Sequence, residues 1–238
     1  MLGPWINSAA LLAGGGLGAA LSQRVPKRVR DALPLSCGII SAAVGAVMMN
    51  KAHTIPAISL ALLTGALIGE LLFLERRLEQ AIGWLQQKAQ RFIPTESNDL
   101  GANSFVLKYV TILVLFCVSG MGIFGAMHEG MSGNANILLT KSVLDLFTAA
   151  IFATELGFSV VLIAVPQILI QSALFFSGAL LIPLISPTMQ ADFSACGGII
   201  MLATGLRICG IKIFPIVNML PALLLVMPFS ALWLYCLG

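Results

Sequence analysis

Charged residues are scarce in this sequence. They make up 10% of its 238 residues, whereas 58% of the residues are hydrophobic. A typical soluble domain carries about 25% charged residues. So few charges cannot coat a water-soluble globule, and the repeated apolar runs are long enough to span a bilayer. The composition therefore predicts a membrane protein whose partners include the membrane lipids.

Signatures of several other protein classes are missing. The five cysteines contain no C-x-x-C pair, so we expect neither a bound metal nor a redox dithiol, and no cofactor is predicted. No basic cluster is interleaved with aromatic residues, which argues against nucleic-acid binding. Ser119 lacks the context of an activated nucleophile, and Asp145 lacks a second carboxylate. We therefore expect that the protein is not an enzyme.

Eight apolar segments follow one another along the chain, each long enough to cross a hydrocarbon core of about 30 Å. Backbone groups in lipid must be hydrogen-bonded within the segment, so these segments are predicted to be helices of an all-α polytopic membrane protein. The predicted spans are 5–23, 33–50, 54–74, 105–127, 138–156, 159–182, 194–211 and 214–236.

The lysines and arginines predict an orientation for these spans. If the N-terminus lies outside, only Lys51 and Lys141 of the 13 basic residues face outward. This asymmetry is the one that the positive-inside rule describes. Both termini are then predicted to face outward. The basic residues assigned to the inner side are Arg24, Lys27, Arg28, Arg30, Arg76, Arg77, Lys88, Arg91, Lys108, Arg207 and Lys212.

The one long connection between spans, residues 75–104, has two parts. Apolar residues recur along one helical face of residues 75–93, which predicts an amphipathic helix on the cytoplasmic leaflet. Residues 94–104 are a polar linker. Neither part is long enough for a soluble domain, so residues 1–238 are predicted to be a single membrane domain.

Sequence similarity between the two ends of the chain predicts an inverted repeat. "INSAALLAGGGL" from Ile6 aligns with "IQSALFFSGALL" from Ile170, and "GIISAAVG" from Gly38 aligns with "GIIMLATG" from Gly198. Predicted helices 1–3 then repeat as helices 6–8. Corresponding helices are five spans apart, so the copies have opposite orientations, as in many secondary transporters. A gene duplication without any transport role is the alternative.

Lys141 and Asp145 are the most informative polar residues, because they lie inside an apolar segment. A charged side chain at the bilayer centre costs about 2.5–3.5 kcal/mol on insertion scales. The i,i+4 spacing lets the two side chains pair, and Thr148 continues the same helical face. Two interpretations remain open: an ion pair that fixes helix packing, or a carboxylate that binds a cation or a proton along a path.

A glycine-rich stretch follows Ser119 in the predicted fourth span. Gly120, Gly122 and Gly125 weaken the helix there and are predicted to permit gating movements. A break at this place would expose backbone groups that could bind an ion, as in the discontinuous helices of transporters. A tightly packed glycine face is the alternative interpretation.

Other polar residues carry weaker predictions. Asn7 and Asn218 each lie in a P-x-x-N pattern at the start of a span and could bind a ligand. His128 is predicted to lie on the surface of an outer loop. Asp192 is predicted to cap the seventh helix. Arg207 is predicted to anchor the inner turn, or else to bind an anion or to pair with Glu70 or Glu155.

Long stretches of the chain resemble a known family. They are "GPWINSAALLAGGGLGAALSQRVP", "LFCVSGMGIFGAMHEGMSG", "KSVLDLFTAAIFA" and "MQADFSACGGIIMLATGLRICGIKIFPIVNMLPALLL". In these stretches, which lie along nearly the whole chain, the protein resembles the YqgA/YdfK family of bacterial inner-membrane proteins. The resemblance implies the bacterial inner membrane, so the termini that the basic residues place on the outside are predicted to lie in the periplasm. The function of that family is unknown, so the resemblance implies no substrate and no site residues.

We therefore expect a secondary transporter or a channel-like permease for a small solute or ion. Asp145 would be its central polar group, assisted by the other polar side chains of the spans. The alternative is a non-transporting membrane sensor or assembly partner that uses residues 75–104 as its contact surface. A homo-oligomer is compatible with the sequence, which leaves the number of subunits open. The assisting residues are Lys141, Thr148, Ser119, Asn7 and Asn218.

Overall fold

The computed structural model describes most of the chain, and its described residues form helices and no strand, which confirms the all-α prediction for this part. The residues that it describes are 1–21, 26–81, 84, 105, 109, 110, 112, 113 and 115–237. The predicted linker 94–104 and most of the amphipathic segment 75–93 lie outside the described residues.

The described helices are α1 (Leu2–Leu21), α2 (Lys27–Met49), α3 (Ile55–Leu71), α4 (Leu74–Ala81), α5 (Gly120–Ser132), α6 (Asn136–Leu156), α7 (Ala164–Leu181), α8 (Pro187–Ile208), α9 (Ile216–Met219) and α10 (Pro221–Leu237). A 3-10 segment, Gly157–Ile163, joins α6 to α7, and another, Ile182–Leu184, follows α7. A bend of 48° separates α3 from α4.

Four helical stretches of the described residues are long and apolar enough to cross a membrane, or five if the bent pair α3 and α4 is one span. This number is smaller than the eight spans predicted, for three reasons. Helices α6 and α7 form one continuous stretch of 49 residues, Asn136–Leu184. The predicted fourth span, 105–127, lies partly outside the described residues, and the described helix α5 has only 13 residues. Helix α1 has 20 residues, but its glycines, Asn7 and Ser8 dilute its hydropathy.

Helix α8 lies at the centre of the largest apolar cluster. Phe193, Ile200 and Met201 on this helix are fully buried, and they pack with Phe124 of α5 and Leu223 of α10. Large apolar side chains on the outer faces are exposed instead, among them some on α3 and α7. In a chain this apolar, such outward-facing side chains are expected to contact lipid rather than water.

Glycines bring α1 into backbone contact with α6. A Cβ atom at Gly14 would overlap the carbonyl oxygen of Leu146, and one at Gly18 would overlap that of Ala150. The same kind of contact joins α7 to α5, where a Cβ at Gly178 would overlap the carbonyl oxygen of Met127. Small residues at such positions let membrane helices approach closely.

The glycines of α1 allow a matched test of this contact. We expect Gly14→Ala to lower the free energy of unfolding by about 1–3 kcal/mol, since the methyl group forces α1 away from α6. Gly16 lies two residues away and has no atom within 4 Å of a built Cβ. Gly16→Ala should be neutral or stabilising by about 0.5–1 kcal/mol through helix propensity. Unfolding of both variants in detergent checks this, and equal losses would contradict the close contact.

Helices α2 and α8 are antiparallel where they cross, and glycines bring their backbones into contact there as well. A Cβ at Gly45 would lie 2.5 Å from the carbonyl oxygen of Gly198, and one at Gly38 would lie 2.9 Å from that of Gly205. Between these two contacts, the Ser41 hydroxyl donates to the Met201 carbonyl at 3.3 Å. The crossing therefore has few large side chains between the two backbones.

Two buried acidic residues bind the starts of distant helices. Glu129 is 2% exposed and accepts hydrogen bonds from the backbone amides of Leu2 at 2.7 Å and Gly3 at 3.1 Å. It thus caps α1, where the free amides favour a negative charge.

His128, the neighbour of Glu129, is 4% exposed. The prediction that His128 lies on a loop surface is wrong, because α5 continues through this position and is packed on both sides.

Asp192 has a similar role at the start of α3. It is completely buried and accepts from the backbone amides of His53 and Thr54, each at 2.8 Å. The Ser230 hydroxyl donates to its other oxygen at 2.6 Å. The prediction that Asp192 caps its own helix is therefore wrong: Ser186 caps α8, and Asp192 joins three segments distant in sequence.

Candidate functional site

The candidate site lies where a helix is interrupted before α5. Residues 115–117 are helical, Val118 and Ser119 are not, and α5 begins at Gly120. Ser119 is the N-cap of α5: its hydroxyl accepts from the Gly122 amide at 3.1 Å, and its carbonyl accepts from the Ile123 amide at 3.0 Å. The first turn of α5, which is the positive end of its helix dipole, therefore lies inside the bundle.

The ion pair predicted on α6 is formed and buried. Lys141 donates from Nζ to Oδ2 of Asp145, and the two residues are only 3% and 7% exposed. A second donor comes from α7, where Gln167 Nε2 lies 2.8 Å from the same oxygen. Gln167 was not identified from the sequence. Its only signal was its spacing from Gln171, which places two amides on one face of an apolar helix.

Lys141 and Asp145 line a small cavity of about 110 Å³ behind the break. Ser119 and Thr148 line the same cavity, and so does Cys37 of α2. Thr148 donates to the Leu144 carbonyl at 2.8 Å, and its oxygen lies 3.7 Å from the Cys37 sulfur. Most of the remaining wall is apolar and includes Pro34, Leu115, Phe116, Met121, Phe152 and Ile208. We call this space the inner cavity.

Buried amides without a hydrogen-bond partner among the described residues lie on α1 and α7. They are both amide atoms of Asn7, both amide atoms of Gln171, and the oxygen of Gln167. Gln171 is placed beside the ion pair: a Cβ built on Gly122 would lie 2.9 Å from Cε of Lys141 and 3.6 Å from Nε2 of Gln171. A buried polar group without a partner costs about 1–3 kcal/mol, so such groups are typical of ligand and water sites.

A larger cavity, about 720 Å³, lies next to the inner cavity. We call it the vestibule. The two spaces have in common the lining residues Leu115, Ser119, Phe152, Thr204 and Ile208. Glu75, Glu79, Glu155 and Arg207 bring charge to the vestibule wall. The ion pair is therefore separated from a charged, much wider space by a layer of only a few side chains.

Arg207 joins the vestibule wall to the start of α9. Its guanidinium lies 2.6 Å from Oε1 of Glu75 and also donates to the Phe214 carbonyl at 2.8 Å. The second oxygen of Glu75 accepts from the Val217 amide at 2.9 Å. The predicted partners of Arg207 were Glu70 or Glu155, and Glu75 takes that place. The difference arises because the bend before α4 turns Glu75 toward the loop that follows α8.

The predicted site residues do not all lie together. Lys141, Asp145, Thr148 and Ser119 line the inner cavity, and Gly120 lines the vestibule. The other predicted glycines and asparagines line neither the inner cavity nor the vestibule. Gly122 is beside Lys141; Gly125 packs on Ile137 and Leu138; Asn7 is buried in α1; and Asn218 accepts from the Glu75 amide at 2.7 Å and donates to Glu70.

Comparison with known proteins places this sequence in a family of uncharacterised proteins, and one of the relatives is named as a membrane protein. A family model described as "Protein of unknown function (DUF554)" matches residues 2–231. The uncharacterised protein YqgA of Escherichia coli is 52% identical over 98% of this chain and 97% of its own length. The uncharacterised membrane protein YdfK of Bacillus subtilis is 25% identical over 94% of this chain and 93% of its own. No solved structure matches the chain.

Proposed function

This chain belongs to the DUF554 family of proteins of unknown function, and from its cavities we propose that it is a secondary transporter for a small solute or ion. One observation carries the proposal: the buried Lys141–Asp145 pair lines a cavity that shares part of its wall with a wider vestibule. Ionisable groups inside a membrane protein that line such a space usually belong to a substrate or proton pathway.

The break at Ser119 supports this function. Transporters commonly place their binding sites where a membrane helix is interrupted, because the free amides and carbonyls of the half-helices can contact the substrate. Here the interruption, the ion pair and the partly unpartnered amides of α7 meet in one region. A pair that only fixed helix packing would need neither a cavity nor a broken helix beside it.

Residue contacts also support the proposed inverted repeat. At the offset of 164 residues, Asn7 corresponds to Gln171, and both are buried amides with no hydrogen-bond partner in the part of the chain that the structure describes. Gly14 corresponds to Gly178, and each approaches a backbone carbonyl of the adjoining helix. An ancestral three-helix unit that occurs twice in opposite orientations explains why the two ends of the chain use the same residue types in the same way.

The crossing of α2 and α8 agrees with the same repeat. At the offset of 160 residues, Gly38 corresponds to Gly198 and Gly45 corresponds to Gly205. In the structure each glycine of α2 contacts the residue that corresponds to the other α2 glycine: Gly38 contacts Gly205, and Gly45 contacts Gly198. This exchange is what a two-fold axis through the crossing would produce. We propose that α1, the interrupted helix that ends in α5, and α6 and α7 as separate helices each cross as well, which makes eight spans in the bacterial inner membrane with both termini in the periplasm.

A flux experiment tests the proposal. The purified protein in liposomes is screened for uptake of protons, alkali cations, small organic acids and inorganic anions. We expect saturable flux of at least one of these and its loss in Asp145→Asn, since the substitution removes the carboxylate without changing the size of the side chain. Thr140→Ala is the matched control, because Thr140 lies on α6 one residue before Lys141 and its hydroxyl donates to the Asn136 carbonyl of its own helix at 2.9 Å.

Two results would contradict transport through this site. Normal flux in a correctly folded Asp145→Asn variant would remove the ion pair from the mechanism. The absence of flux for every solute tested, from protein that is folded and inserted, would favour the non-transporting sensor or assembly partner instead.

A further inference from the structure

Resting on the proposed function, we propose that the inner cavity binds one small anion together with one proton. The anion would sit against the Lys141 ammonium, and the proton would sit on the Asp145 carboxylate. This inference names the substrate class and the coupling ion of the site. It follows from the charges, the donors and the size of the cavity.

Charge balance is the first step. The Lys141–Asp145 pair is buried and neutral as a unit. A free ion that entered the cavity alone would leave a net charge in a medium of low dielectric constant, which is costly. If a proton from vestibule water binds Asp145 while an anion binds Lys141, the site stays neutral. The lost ion pair is then replaced by another one, between Lys141 and the anion.

The donors around the cavity favour an anion over a cation. A lysine ammonium has three N–H donors, and here one of them is directed at Asp145. The first turn of α5 adds the positive end of a helix dipole next to Ser119. A metal cation at Asp145 would have to approach both of these positive groups. Beyond the cavity wall, on the side of Gly122, the buried amide of Gln171 has no hydrogen-bond partner among the described residues, so an N–H donor is available close to the Lys141 side chain.

The titratable groups that face Asp145 from neighbouring elements are few among the described residues. Cys37 of α2 and Cys117, which precedes the break, lie close enough to interact with it electrostatically. Both are thiols and remain neutral at physiological pH. Lys141 is therefore the charged group that responds directly to protonation of Asp145. Glu155 and Arg207 are located on the vestibule wall instead.

Cavity size limits the substrate. The inner cavity has a volume of about 110 Å³, while one water molecule takes about 30 Å³ of liquid volume. The space therefore suits an anion of a few non-hydrogen atoms, such as a halide, nitrate, formate or acetate. A sugar acid such as gluconate is too large. The apolar wall also favours weakly hydrated anions over phosphate or sulfate.

Direct binding tests this inference without any transport assay. The protein in detergent is titrated with sodium formate, nitrate or chloride between pH 5 and pH 8, with sodium gluconate as the control for ionic strength. We expect the apparent affinity for at least one small anion to rise about tenfold per unit fall in pH, since one proton is linked to binding. Uptake of one proton per anion is measured in a weakly buffered solution with an indicator dye.

Two variants are expected to change binding in opposite ways. Asp145→Asn keeps a neutral group at position 145 and should bind the anion at every pH, with no proton uptake. Its thermal stability should rise when the anion is added, because Lys141 gains a partner. Lys141→Gln should lose anion binding. Each variant is first checked for a single species by size-exclusion chromatography.

Several outcomes would overturn the inference. They are binding without pH dependence in the wild type, no proton uptake on binding, a folded Asp145→Asn variant that binds no anion, or binding of gluconate as tight as that of the small anions. If the variants do not fold, the pH dependence and proton uptake of the wild type still decide. Flux of a cation or neutral solute without anion binding would refute the inference alone, whereas anion binding without any flux would refute the transport function alone.

Discussion

Replacing Lys141 by methionine is expected to lower the free energy of unfolding by about 3–5 kcal/mol, because the carboxylate of Asp145 is then buried without its cation. The two residues are only 3% and 7% exposed, so water cannot replace the lost partner at little cost. Gln167, which donates to the same oxygen, supplies no compensating charge. Unfolding of the purified variant in mixed micelles measures the change.

The double variant Lys141→Met/Asp145→Leu distinguishes structure from function at the same place. Replacing both members of a buried pair by apolar residues of similar volume is often neutral or stabilising. We expect the double variant to recover most of the stability that Lys141→Met loses, and yet to show neither flux nor anion binding. A double variant as unstable as the single one would mean that the pair is required for folding, and the transport proposal would lose its main support.

The second large effect is expected at Asp192. Asp192→Ala removes the acceptor of two backbone amides, those of His53 and Thr54, and of the Ser230 hydroxyl. Each buried donor left without a partner costs about 1–3 kcal/mol, so we expect a total loss of about 3–5 kcal/mol. The loss should appear as a lower temperature of thermal unfolding and as faster proteolysis in the 50–54 turn.

Ser230→Ala is the matched control for that prediction. It removes only one of the three hydrogen bonds and should cost about 1 kcal/mol. Asp192→Asn should fall between the two, since its amide retains one oxygen acceptor but loses the charge. If all three variants were as stable as the wild type, the turn before α3 would not depend on its hydrogen bonds to α8.

Local patterns were the part of the fold that the sequence could predict. Backbone groups in lipid must be hydrogen-bonded, and apolar runs long enough to cross the bilayer satisfy them as helices, so composition together with run length predicts the all-α class. The i,i+4 spacing of Lys141 and Asp145 predicts a pair because both residues lie on one helix, and the structure forms it. The glycines after Ser119 indicate a weak point in the fourth span, and the helix is interrupted there.

Contacts between distant segments could not be predicted in the same way. Gln167 reaches Asp145 from 22 residues away, and Glu129 caps a helix 126 residues earlier in the chain. In a mostly apolar chain the hydrophobic pattern distinguishes lipid-facing from buried faces poorly, so it does not indicate which faces meet. For the same reason Arg207 was assigned to other carboxylates, although a bend at Phe73, with a φ of 51°, directs Glu75 toward it.

The glycine crossing of α2 and α8 has a mechanical consequence. Helices that interdigitate large side chains must change many rotamers before one can shift along the other, whereas helices whose main chains touch through glycine can slide with little rearrangement. Between Gly38 and Gly45, only small groups separate α2 from α8. We therefore expect shear between α2 and α8 to be easiest along this line, on a contact built from residues with no chemistry of their own.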